Sequence, residues 1–309
     1  MVLEGPVAYL FPGQGAQRVG MGRDLLERFP AAAEVFGRAD RAAGRGLSAL
    51  CFHGPEERLT ETVNAQPAIV TTSVACLRAV REALPAPTAL AGHSLGEYSA
   101  LIAAEALGLE EGLRLVEARA QAMQQAAEGR AGTMAALLGL DEEAAAELAA
   151  EAGVTVANWN CPGQVVVSGG RAAVEKAEQL AAERGAKVMR LKVSGAFHSD
   201  LMQPAAAQFA RVLKEAAICD AHVPVYCNVD GEPHLRAEEL RAALANQVTK
   251  PVLWEQSVRR MASEAGVVNF IEFGGRVVAG LVKRSAPQAQ VFSVFDMQSA
   301  EALLQGAAV

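Results

Sequence analysis

The segment Gly92-His93-Ser94-Leu95-Gly96 restricts the fold of this chain more than any other. It fits the pattern G-x-S-x-G. It follows the apolar run Thr88-Ala89-Leu90-Ala91-Gly92, which reads as a buried strand, and a helical pattern starts at about Leu95. A serine between two such elements sits on a sharp strand-to-helix turn, in a strained conformation where large neighbours would clash. The helix N-terminus beneath it offers free N–H groups and positive dipole to developing negative charge. The segment predicts Ser94 as a nucleophile, with the Leu95 amide as one oxyanion donor. A capping serine in a glycine-rich turn with no chemistry would look the same, and a serine hydrolase fits as well as a transferase.

Around this turn, strands alternate with helices. Val7 to Phe11 reads as a buried strand ended by Pro12-Gly13, and helical periodicity then runs to about Glu82, with a capped start at Asn64. Helices are predicted from Leu95 and over 109–127. That order implies an α/β fold, a parallel sheet with helices on both faces. The middle differs. Strands are predicted over 132–140, 154–159, 164–168 and 187–192, with a turn at Asn160-Cys161-Pro162-Gly163. One helix follows Asp141 as its cap and another spans 171–184. This β-α-β-β-α-β order is the split ferredoxin-like motif. Residues 129–192 are therefore expected to form an inserted subdomain, and 1–128 with 193–309 a discontinuous hydrolase-like core. Beyond it, helices are expected over 200–218, 237–247 and 251–264, a strand over 266–273, and one closing helix-strand unit.

A serine nucleophile needs a base. His198, in Gly195-Ala196-Phe197-His198-Ser199, follows Ser94 in chain order, whereas the adjacent His93 should point away and support the turn. His53, His222 and His234 fall in predicted loops. The five histidines show no metal-ligand spacing and the five cysteines no CxxC pair, so no metal site is expected and the thiols suit a reducing cytoplasm. A formal net charge of -7 disfavours non-specific nucleic-acid binding. The N-terminal stretch lacks the pattern of a secretory signal, and each apolar run stops well short of the roughly 20 residues that span a bilayer. The expectation is a cytoplasmic, monomeric protein with no nucleic-acid or membrane partner.

Several separated motifs carry a closer resemblance. They are Phe11-Pro12-Gly13-Gln14-Gly15-Ala16-Gln17, Gln66-Pro67-Ala68, Gly92 to Leu101, Arg119 in Val116-Glu117-Ala118-Arg119, and Asn160-Cys161-Pro162-Gly163-Gln164. The last are Ala196-Phe197-His198-Ser199, Asn228-Val229-Asp230 and Gln247 to Trp254. Spanning the chain in this order, they resemble the malonyl-CoA:acyl carrier protein transacylases, whose two-part fold the inserted unit also matches. The resemblance implies Ser94 as the acylated serine and His198 as its base. It implies that the Gln247 carbonyl orients His198, so no acid is required, and that the Gln14 amide is the second oxyanion donor beside Leu95. Arg119 would grip the malonyl carboxylate with two parallel N–H bonds. Asn160 would contact substrate, and Phe197 would favour malonyl over methylmalonyl by bulk.

The implied substrates are malonyl-CoA and the phosphopantetheine thiol of an acyl carrier protein, with no metal or redox cofactor. Lys187, Arg190 and Lys192 are candidates for docking the acidic carrier, although a solvated edge strand explains them equally well. The chain departs from the family at Gly274-Gly275-Arg276, where Gly-Pro-Gly is common, and at Cys161, where serine is common; Cys161 reads as a tolerated substitution. Rival readings are a stand-alone acyltransferase serving a polyketide synthase, a serine thioesterase or esterase, and a carrier-binding scaffold with a dead site.

Overall fold

The computed structural model describes residues 3–129 and 131–306. Arg130, next to the expected boundary at 129, and the terminal residues 1, 2 and 307–309 lie outside the described residues. The strands in chain order are β1 (Val7–Phe11), β2 (Ala89–Gly92), β3 (Gly132–Leu138), β4 (Thr155–Cys161) and β5 (Gln164–Gly170). They continue with β6 (Lys187–Arg190), β7 (Val225–Tyr226), β8 (Pro233–His234), β9 (Asn269–Phe273) and β10 (Gln290–Val294).

The first sheet has the order β10-β9-β1-β2-β7-β8, parallel except for the β7–β8 pair. Its central strands are apolar throughout because both faces are covered. Val7, Tyr9 and Phe11 face a core shared with helices Thr62–Val80 and Leu109–Glu128. Ala8 and Leu10 face the opposite core, with Trp254, Val258 and Val282 from helices Trp254–Ser263 and Ala279–Ser285. Helices on both faces of a mainly parallel sheet are what the strand-helix alternation predicts.

The second sheet has the order β4-β5-β3-β6 and is antiparallel throughout. With helices Glu142–Ala152 and Arg171–Glu183 between its strands, it has the ferredoxin-like connectivity. Asp141 caps the first of these helices by accepting the Ala144 N–H at 2.8 Å. Ala135, Leu137, Val165 and Val167 pack under the two helices. The alternate residues Met134, Ala136 and Val166 look the other way, into the cavity between the sheets.

Several local expectations fail for tertiary reasons. β4 continues through Asn160 and Cys161, so the turn is only Pro162-Gly163, with Gly163 at φ +69°. The helix expected from Pro251 starts at Trp254, because Val252 pairs with β4: its N–H donates to Ala157 and its carbonyl accepts from Trp159, both at 2.9 Å. Asn64 lies inside helix Thr62–Val80, and its amide donates to the Arg58 carbonyl instead of capping. The helix expected from Asp200 is a 3-10 turn, Asp200–Met202, followed by Gln203–Lys214 with a proline in its first turn. The short strands β7 and β8 had no sequence signal, and a helix, Met297–Gln305, follows the last strand.

The start of helix Gly96–Ala103 crosses β1 closely. A Cβ on Gly96 would stand 2.2 Å from the Phe11 carbonyl oxygen, and one on Gly92 would stand 1.9 Å from the Gly96 carbonyl carbon. Backbone cannot yield there as a side chain can. Gly96→Ala is expected to lose about 3 kcal/mol or more in urea unfolding. Gly280→Ala, where a Cβ meets nothing within 4 Å, should stay within about 1 kcal/mol of the parent.

Candidate active site

Ser94 lies between β2 and helix Gly96–Ala103 at φ +50°, the left-handed region in which side chains are strained. The turn aims its Oγ at His198 Nε2, 2.7 Å away. His198, also at positive φ (+56°), has Nδ1 2.8 Å from the Gln247 carbonyl and 3.1 Å from that of Lys250. Both partners are acceptors, so Nδ1 carries the proton and Nε2 is left with a lone pair for the serine hydroxyl. Burial, then the positive charge of Arg119, pushes the imidazole down to about 3. The imidazole is therefore neutral, with the Nε2 lone pair directed at the serine hydroxyl.

Arg119 comes from helix Leu109–Glu128 and is 1% exposed. Its Nη1 donates to Gln66 Oε1 at 2.8 Å, and Nη2 lies 3.1 Å from both Ser94 Oγ and Gln247 Oε1. The Tyr98 ring faces the guanidinium at 5.7 Å. Its Nε has no partner, and among the described residues no carboxylate lies within ion-pair distance of it. A buried cation held by neutral acceptors beside the serine suits an anionic group.

These groups close one end of a cavity of about 260 Å³, between the two sheets. Met123, Met134, Val166 and Phe197 make apolar walls, and the half-exposed Met189 and Val277 stand at its rim. Gln14 and Leu95 both line it, and neither backbone N–H has an acceptor among the described residues. Two free amides and a helix N-terminus at the serine suit a developing oxyanion. Phe197 lies against the cavity beside His198. Asn160 reaches it from β4, beside a shift in register, with its Oδ1 2.9 Å from His93 Nε2. His93 turns away from the base position, as expected, and packs on Trp254 with ring centroids 5.5 Å apart.

The structure thus brings Ser94, His198, Gln14, Leu95, Arg119, Phe197 and Asn160 to one cavity, with Gln247 buried behind His198. Sequence reasoning gave Gln66 and the Lys250 carbonyl no role, nor the side chain of Gln247, whose Nε2 donates to the Ser94 carbonyl at 2.9 Å. It quoted Asn228 only as a motif, yet Asn228 Oδ1 accepts the Ser94 N–H at 2.6 Å. The candidate docking cations are not equivalent. Lys187 and Lys192 are exposed, but Arg190 is engaged by Glu178 and Glu175. Cys161 is buried, which raises its thiol and fits an unreactive role.

Residues 8–285 match the acyl transferase domain family. The chain belongs to the acyl transferase family. It is 44% identical over 306 residues to the malonyl CoA-acyl carrier protein transacylase of Bacillus subtilis, covering 97% of this chain and 96% of that protein. Among solved structures, the Coxiella burnetii malonyl CoA-acyl carrier protein transacylase superposes with a TM-score of 0.94 at 37% identity, covering all of both chains. A malonyl-transacylase in complex with a type II polyketide synthase acyl-carrier protein superposes with a TM-score of 0.92 at 39% identity, covering 98% of this chain and 100% of that one. Acyl transferase chemistry accounts for a serine, a neutral base and two free amides in one cavity.

The low proton affinity of His198 has a sign that can be checked. The unfolded imidazole takes a proton near 6.5 and the native one near 3. Between these values the unfolded chain binds more protons, so this group lowers stability as pH falls through that window. In the native protein the His198 Cε1–H resonance should hold its neutral shift between about pH 8 and 5, while an exposed histidine titrates.

Proposed function

We propose that this acyltransferase moves a malonyl group from malonyl-CoA to the phosphopantetheine thiol of an acyl carrier protein, through a malonyl-serine intermediate. The observation that carries this reading is the buried Arg119, which has no carboxylate partner among the described residues and lies 3.1 Å from the nucleophile. A free carboxylate on the acyl group would satisfy it, and an uncharged acyl group would not.

His198 Nε2 takes the proton of Ser94 as Oγ attacks the thioester carbon. The Leu95 and Gln14 amides hold the oxyanion, and the Gln247 and Lys250 carbonyls keep the imidazole oriented with Nδ1 protonated. The tetrahedral centre collapses, CoA leaves as a thiol with the proton from His198, and malonyl stays on Ser94. The carrier thiol then gives its proton to His198 and attacks the ester. Ser94 recovers its proton as the malonyl thioester departs.

The mechanism draws on side chains and amides alone, without metal or redox cofactor. Phe197 limits bulk next to the acyl carbon and Asn160 contacts the substrate. Residues 129–192 act as an inserted subdomain whose open sheet face walls the site, with 1–128 and 193–309 as the catalytic core. We place the protein in the cytoplasm as a monomer supplying fatty acid synthesis. No described helix is long and apolar enough to cross a membrane. A polyketide carrier is the second reading, favoured by the relative held with such a carrier.

Mixing the protein with malonyl-CoA should give a malonyl adduct on Ser94 by intact-mass analysis, absent in Ser94→Ala. Arg119→Ala should lower the preference for malonyl-CoA over acetyl-CoA by roughly 10- to 100-fold, as expected for loss of a charge-assisted hydrogen bond. Rapid release of the adduct to water in the wild type would instead support a thioesterase.

A further inference from the structure

The strain at Ser94 requires a hold from outside the turn, because a non-glycine residue persists at positive φ only where its surroundings over-determine it. Two carboxamides reach the turn: Gln247 Nε2 donates to the Ser94 carbonyl at 2.9 Å, and Asn228 bridges across the bend. Asn228 Oδ1 accepts the Ser94 N–H at 2.6 Å, and its Nδ2 donates to the Gly92 carbonyl at 2.8 Å. Its orientation is unambiguous, since an N–H can only donate and a carbonyl can only accept. A single planar group therefore spans the two ends of the bend.

Asn228 is itself fixed. Its N–H donates to Glu97 Oε2 at 2.8 Å, and its carbonyl accepts the Leu253 N–H at 2.8 Å. Glu97 lies in the first turn of the helix that starts at the elbow, and both residues are fully buried. Burial raises the Glu97 carboxyl to about 7. Charged or neutral, Oε2 can accept the Asn228 N–H.

We infer that Asn228, anchored by Glu97, is the positioning residue that holds Ser94 in its reactive turn. The inference rests on reading Ser94 as the acylated serine. It also divides the amides of the elbow: the Ser94 N–H is consumed by Asn228, so only the next one, that of Leu95, is free for the oxyanion. Without Asn228 the turn relaxes, and Oγ leaves the 2.7 Å contact with His198.

The test measures the rate at which the full-length protein forms the malonyl adduct on Ser94, together with kcat and KM for malonyl-CoA. Asn228→Ala should slow acylation by roughly 100-fold, the scale of a displacement of about 1 Å at the reacting atoms. KM should change by less than about threefold. Glu97→Gln keeps an acceptor for the Asn228 N–H and should stay within about threefold of the wild-type rate, while Glu97→Ala should fall well below it. Acylation by Asn228→Ala within about twofold of wild type, or a loss confined to KM, overturns the inference. Should Asn228→Ala fail to fold, the Glu97 pair decides. Restoration by Gln over Ala supports the hold, and equal rates in the two overturn it. A wild-type protein that forms no adduct overturns the reading of Ser94 itself, a separate outcome.

Discussion

Holding a guanidinium out of water, with no carboxylate partner among the described residues, is the demand around which this site is arranged. Such a charge is costly unless its donors are used, and Arg119 spends its terminal nitrogens on Gln66, Gln247 and the Ser94 hydroxyl. Those three acceptors come from helix Thr62–Val80, the end of helix Ala237–Gln247 and the turn after β2. The arginine thereby joins parts of the chain far apart in sequence. The same charge helps keep His198 neutral. The group proposed to recognise the anion and the proposed general base are thus coupled through a few ångströms of buried space.

The proposed nucleophile is shaped by backbone as much as by side chains. Gly92 and Gly96 allow helix Gly96–Ala103 to start against β1, a crossing that leaves no room for a Cβ. Ser94 takes the strained position between them, and Gln247 contributes twice: its carbonyl orients His198 and its amide holds the Ser94 carbonyl. One residue therefore touches both Ser94 and His198.

How much could be read from the sequence depended on the range of the interaction. The G-x-S-x-G turn, the Asp141 cap and the two-sided apolar run of β1 are local, and each stands where the residues place it. The helix expected from Pro251 failed because Val252 is taken by β4, a partner no local window contains. β7 and β8, at two residues each, are too short to show a period. In the site, Ser94, His198 and Arg119 could be chosen from residue type and motif. The contacts made by Asn228, Gln66 and the Lys250 carbonyl follow only from tertiary folding, since an amide side chain or a carbonyl carries no signal of its partner.

The two faces of the β3–β5 sheet answer to different constraints. Ala135, Leu137, Val165 and Val167 interlock with that unit's own helices, while Met134, Ala136 and Val166 join the larger core and line the cavity. Adjacent positions along one strand are therefore governed separately, one by the cohesion of the unit and the next by the shape of whatever enters. A lineage could widen or narrow the chamber through every second residue while leaving the unit's own packing undisturbed. The pleat makes the wall adjustable independently of the small core that carries it.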